Sequence, residues 1–136
     1  MKGYNTISYN KNAVDWLLFL LRLFVGLAIM THGLPKLLNF ISGEVKFMDF
    51  MGFGSKTSLF LVIFAEIVCA FLLLLGLFTR WATIPLIITM LVAAFMAHRA
   101  EPFSDREMSL LYLFHFFTIL VLGPGRFSVD RMISRR

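Results

Sequence analysis

The sequence predicts an all-α membrane protein, an antiparallel four-helix transmembrane bundle made by a single domain over residues 1–136. Three observations carry that expectation. Hydrophobic residues make up 59% of the chain and charged residues 15%, against about 45–50% and about 25% in an ordinary soluble domain. Four apolar runs follow one another, the first two as long as the roughly 20 residues a helix needs to cross the hydrocarbon layer and the last two shorter. The basic residues gather at the ends of those runs, where headgroups lie, and not along a face that could track a phosphate backbone. The formal charge of +5 therefore predicts contact with the lipid bilayer and no nucleic-acid partner.

The first span is predicted from about Val14 to Leu38, the second from about Ser58 to Phe78, the third from about Trp81 to Ala97 and the fourth from about Met108 to Leu122. The first run does not read as a cleavable leader, because Arg22 interrupts it, no small-residue cleavage site follows and three further runs come after it. Pro35 falls near the end of the first run and Pro85 in the first turns of the third, where a missing amide donor costs little. Thr79-Arg80, Glu101-Pro102 and Gly123-Pro124-Gly125 punctuate the later runs. Between the first two spans, Asn39 to Thr57 is too long for a tight hairpin. There Val45, Phe47, Met48, Phe50, Met51 and Phe53 alternate with Lys46, Asp49 and Gly52, the pattern of an amphipathic segment at the membrane surface. Cys69, the single cysteine, excludes an internal disulfide and a paired-thiol motif and is expected as a small core residue.

Orientation follows from lysine and arginine. With the amino terminus inside, Lys2, Lys11, Arg80, Arg126, Arg131, Arg135 and Arg136 are cytoplasmic, seven against five outside (Lys36, Lys46, Lys56, Arg99, Arg106). Both termini are expected in the cytoplasm.

An ionisable side chain within a span costs about 2.5–3.5 kcal/mol or more at mid-depth, so such residues are the candidates for function. At about 1.5 Å per residue, Glu66 and His115 each lie about 12 Å from the outer end of their spans, and Arg22 lies about 6 Å deeper in a layer of about 30 Å. One cluster of Arg22, Glu66 and His115 is the economical arrangement. Two readings of it are open: an Arg22–Glu66 ion pair that locks the bundle with His115 hydrogen-bonded to it, or Glu66 and His115 carrying protons beside a bound ligand. His32 and Lys36, four apart, share a helix face near the outer surface, with His98 at a similar height. No close ligand motif supports a metal there, and Lys36 is expected to snorkel to the interface. After the fourth span, Gly123-Pro124-Gly125 stops the helix, Arg126 and Asp130 are expected to pair across the turn, and Arg126 is also a candidate for a headgroup or ligand contact.

Taken in order, Arg22-Leu23-Phe24-Val25-Gly26, His32-Gly33-Leu34-Pro35-Lys36, Glu66, Leu75-Gly76-Leu77-Phe78-Thr79-Arg80 and Gly123-Pro124-Gly125-Arg126 with Ser128 and Asp130 resemble the DoxX family of small bacterial membrane proteins. The resemblance covers about Trp16 to Asp130. It implies a bacterial inner-membrane protein of four helices, often an oxidoreductase or quinone-linked subunit. Some relatives look like subunits of thiosulfate:quinone oxidoreductases, and others associate with enzymes of oxidative and thiol stress. The function expected is a subunit of such a system, with Glu66, His115 and Arg22 at the reacting centre. Together with His32, Lys36 and Arg126 they would hold a quinone. The chain has no haem, flavin or iron–sulfur signature, so quinone itself would carry the electrons, with a partner redox enzyme or a homo-oligomer completing the assembly. Two other classes stay open. One is a non-catalytic anchor or assembly subunit. The other is a small-solute or proton-coupled carrier, although the chain lacks the inverted repeats common in carriers.

Overall fold

The computed structural model describes residues 8–49 and 52–135, and every regular element among them is helical. Lys2, Phe50, Met51 and Arg136, used above for orientation and for the first loop, lie outside the described residues. Four helices have 19 residues or more: α1 (Lys11–Ile41), α2 (Ser55–Leu75), α3 (Thr79–Ala97) and α4 (Phe103–Leu122). A short α5 (Val129–Ser134) follows.

Local chemistry sets the ends. The Asn10 side chain accepts the amides of Asn12 and Ala13 and so starts α1 before the apolar run begins. Pro35 lies inside α1, which continues to Ile41. Gly76, left-handed at φ 69°, ends α2: its amide bonds to the Leu73 carbonyl and that of Leu77 to the Leu72 carbonyl, the paired closure that satisfies a helix's last carbonyls. The fourth helix begins at Phe103, five residues earlier than its hydropathy suggests, directly after Pro102, which stands at its N-cap with an extended ψ of 158°. Asp105, Arg106 and Glu107 are thereby drawn into its first turns. Helices α1, α2 and α3 are long and apolar enough to cross a membrane; α4 has the length but carries those three charges. In the first loop, residues 44–49 form no helix, so the expected amphipathic segment has no regular structure there. The loop is tied at its two ends, by the Glu44 amide donating to the Asn39 carbonyl and the Gly54 amide donating to Asp49 Oδ1.

Contacts at both ends give the directions. Phe40 of α1 lies near Phe60 of α2, whereas Arg22 reaches Leu73, so the two run opposite ways. Arg80, starting α3, reaches the Val121 carbonyl near the end of α4. Val25, Ile29, Leu73, Leu86, Phe116 and Ile119 form a core drawn from all four helices, and Cys69 is buried within it as expected. Leu17, Phe24, Phe71, Trp81 and Phe114 stay exposed on the outside, the reverse of a soluble protein's surface.

Two features shape the space inside. Residues Phe64–Cys69 of α2 and Ala93–Ala97 of α3 are π-helical. Gly26 and Gly33 let α1 approach α2: a Cβ on Gly26 would lie 2.7 Å from Leu74 Cδ2, and one on Gly33 2.8 Å from Glu66 Cβ. Small residues at such a seam allow backbones to pack closely where lipid supplies no hydrophobic drive. Gly33→Ala is therefore expected to cost about 1–3 kcal/mol, since the obstructing atom sits close to the α2 backbone and yields little. Thermal unfolding in mild detergent checks it, and a parent-like midpoint would show that the seam can open freely.

Candidate functional site

Glu66 sits in the π-helical stretch of α2 with its side chain only 3% exposed. Its partner is Lys36: the ammonium donates to both carboxylate oxygens, at 2.8 and 2.7 Å. The expected Arg22–Glu66 pair is not formed, and Lys36 does not snorkel outward. Side chains lean toward the amino-terminal end of their own helix, so on α1 Lys36 leans inward to Glu66 while Arg22 leans away from it. Fourteen residues, about 21 Å of helix, separate the two cations.

Beside the ion pair lies a cavity of about 440 Å³ to which all four long helices contribute. Ile29, His32 and Lys36 come from α1, Glu66 from α2, Met90 and Ala93 from α3, and Met108 and Tyr112 from α4. Both π-helical segments border it, the irregularity that often accompanies functional sites within helices. The ring of His32 meets that of Tyr112 edge-on at 6.0 Å. At the cavity mouth, His98 Nδ1 lies 2.5 Å from Glu101 Oε2. Among the described residues, no three His, Cys, Asp or Glu side chains gather as a metal site requires. The structure thus brings together Glu66, His32, Lys36 and His98, and adds Tyr112, which the sequence reading missed. Its signal was a lone phenol in an apolar run, four residues before the core residue Phe116.

His115 is elsewhere. Its Nδ1 lies 2.5 Å from the Leu111 carbonyl, and the ring lines a smaller, mainly apolar cavity of about 210 Å³ with Phe24, Val25 and Leu111. Met108 and Tyr112 wall both cavities. The three-residue cluster is therefore divided among three places: Glu66 by Lys36, His115 in the slot between α1 and α4, and Arg22 at the far end.

Arg22 is fully buried there. One guanidinium nitrogen donates to the Leu73 carbonyl at 3.3 Å and another to the Phe127 carbonyl, while Nε has no partner among the described residues. A Cβ on Gly76 would collide with the guanidinium and with Ser128. Asp130 does not pair with Arg126: its two oxygens accept the amides of Phe78 and Thr79 at 2.8 and 2.9 Å, capping α3 from a distant part of the chain. Phe78, left-handed at φ 48°, is held by the first of these bonds. Two free backbone amides at a helix start attract a carboxylate more strongly than one exposed guanidinium does. The Arg126 amide donates to Asp15 at 3.0 Å, which brings the start of α1 to the segment after α4. Arg22, Gly76, Ser128 and Asp130 are thus a structural lock.

Against known proteins, the family model described as DoxX matches residues 17–99. That stretch holds Arg22, His32, Lys36 and Glu66 and ends before α4. The chain is 32% identical to the uncharacterized membrane protein Rv3486 of Mycobacterium tuberculosis, in an alignment covering 85% of this chain and 80% of that protein. No solved structure matches.

Proposed function

This chain belongs to the DoxX family of membrane proteins, and from that premise we propose that it binds the head of a membrane quinone in the cavity beside Lys36 and Glu66. It does so as a subunit of a quinone-linked redox system in a bacterial inner membrane. The fold in this reading is an antiparallel four-helix transmembrane bundle, with the charges of Asp105 to Glu107 at headgroup level. The bond between Asp15 and the Arg126 amide supports an even number of crossings, with both ends on one side.

The observation that carries the proposal is a buried carboxylate, Glu66, paired with the half-buried Lys36 ammonium and facing a cavity. Apolar helices pack without buried charges, and desolvating two of them costs several kcal/mol each before the pair forms. A quinone supplies two-electron, two-proton redox chemistry, and a partner enzyme supplies the electrons. Its two carbonyl oxygens need donors, and the cavity offers the Lys36 ammonium and the Tyr112 hydroxyl. Glu66 holds Lys36 in place and can accept or return a proton. His98 and Glu101 extend polar groups to the cavity mouth. The adjoining apolar slot, sharing Met108 and Tyr112, suits the first units of an isoprenoid tail.

Equilibrium dialysis of the purified protein in nanodiscs against a short-tailed naphthoquinone and benzoquinone tests this. Lys36→Met is expected to weaken binding about 10-fold or more, the loss of one charge-assisted hydrogen bond. Tyr112→Phe, which keeps shape and fold, is expected to weaken it severalfold. Absence of binding by the parent, or equal binding by both variants, sinks the quinone site and leaves an anchoring role.

A further inference from the structure

The opposite end of the helices carries a cavity that neither the ion-pair site nor the lock accounts for. It measures about 750 Å³, and Arg80, Arg126, Arg131 and Arg135 all line it. Among the described residues none of the four takes part in a salt bridge; Arg80 alone makes a long bond, 3.4 Å, to the Val121 carbonyl. Two carboxylates also line the cavity, but both serve backbone: Asp130 caps Phe78 and Thr79, and Asp15 takes the Arg126 amide. Four guanidinium groups therefore face one space with two committed acids beside them. Gly123 keeps the wall next to Arg80 clear, since a Cβ there would lie 3.2 Å from Arg80 Nη2.

The rim is equally informative. Phe78, Trp81 and Leu122 border the same cavity and are 60%, 75% and 55% exposed. Aromatic and apolar side chains next to arginines make up the interface between hydrocarbon and headgroups. Arginine matches phosphate oxygens with paired, planar donors, and basic pockets between transmembrane helices hold anionic headgroups. We propose that this cavity binds the phosphate of an anionic phospholipid, with its acyl chains lying over Phe78, Trp81 and Leu122. Inorganic phosphate offers the same anion without chains, so the two sources must be separated by experiment.

Trp81 at the rim provides the readout, with Trp16→Phe in every protein compared because that second tryptophan is also exposed. The full chain is placed in vesicles of phosphatidylcholine and phosphatidylglycerol, with brominated chains on one lipid at a time, and quenching of tryptophan fluorescence gives the relative binding constant. The parent is expected to prefer phosphatidylglycerol, and the preference to fall about fivefold for each arginine removed, from about 1 kcal/mol per basic residue near an anionic surface. Arg126→Gln with Arg131→Gln should nearly abolish it, whereas Arg126→Lys with Arg131→Lys should keep most of it. Lys46→Gln with Arg99→Gln, removing equal charge elsewhere, should change nothing. Equal preference in the parent and the glutamine pair overturns the site, as does an equal loss from the Lys46 and Arg99 changes. If millimolar inorganic phosphate removes the preference as fully as the glutamine pair does, the cavity takes free phosphate and the lipid assignment fails.

Discussion

Lys36→Met is expected to lower stability by about 3–5 kcal/mol, because it strands the Glu66 carboxylate in a low-dielectric interior with its paired cation gone. Glu66 is almost fully enclosed, and both its oxygens rest on the one ammonium. Glu66→Gln should also destabilise, by less, because the Lys36 side chain is 32% exposed and can turn toward water. Combining Lys36→Met with Glu66→Gln removes both charges together and is expected to cost less than the two single losses added, by about 0.5–3 kcal/mol. Thermal unfolding of the four proteins in one detergent gives the cycle. Strictly additive losses would mean that the ion pair contributes nothing as a pair.

A comparable loss is expected at the other end. Arg22→Met removes a buried cation that bonds the Leu73 and Phe127 carbonyls. At about 1.5–3 kcal/mol for each hydrogen bond from a charged group, the cost is about 3–6 kcal/mol. The effect should also be local: residues beyond Gly123 should become open to a protease added to the detergent-solubilised protein. Arg22→Lys should rescue poorly, since a single ammonium does not reproduce the fork that spans two carbonyls. Should the tail of Arg22→Met stay as protected as the parent's, the lock does not depend on this residue.

Hydropathy made the helices legible, because lipid-facing and core-facing positions are both apolar and each run announces itself. It did not report their true starts, since Asn10 and Pro102 act through backbone chemistry that an average over apolar residues does not register. The ionisable candidates were equally visible as types; their pairing was not. The edges of apolar runs fix depth only to a few residues, at about 1.5 Å each, enough to shift one helix past another by most of the distance in question. The lean of side chains toward a helix's amino end, which separates Arg22 from Glu66 and delivers Lys36 to it, is a general rule that would have favoured the correct partner. Tyr112 carries no charge, so the cost of burying an ionised group does not single it out. The capping of α3 by Asp130, 51 residues further on, has no local signature at all.

The bond between Arg22 and Phe127 joins residues 105 apart, and this imposes an order on biogenesis. Ribosomes add about 5–20 residues per second, so the first helix is complete and its guanidinium committed to the bilayer for roughly 5–20 s before the segment that closes over it has been made. During that interval the arginine must rely on translocon water, on headgroups or on the Leu73 carbonyl once the second helix arrives. A nascent chain halted before Phe127 would hold the guanidinium on the Leu73 carbonyl alone, one of the two carbonyls it bonds in the finished fold. The segment that carries Phe127 thus completes the hydrogen bonding of a side chain made 105 residues earlier.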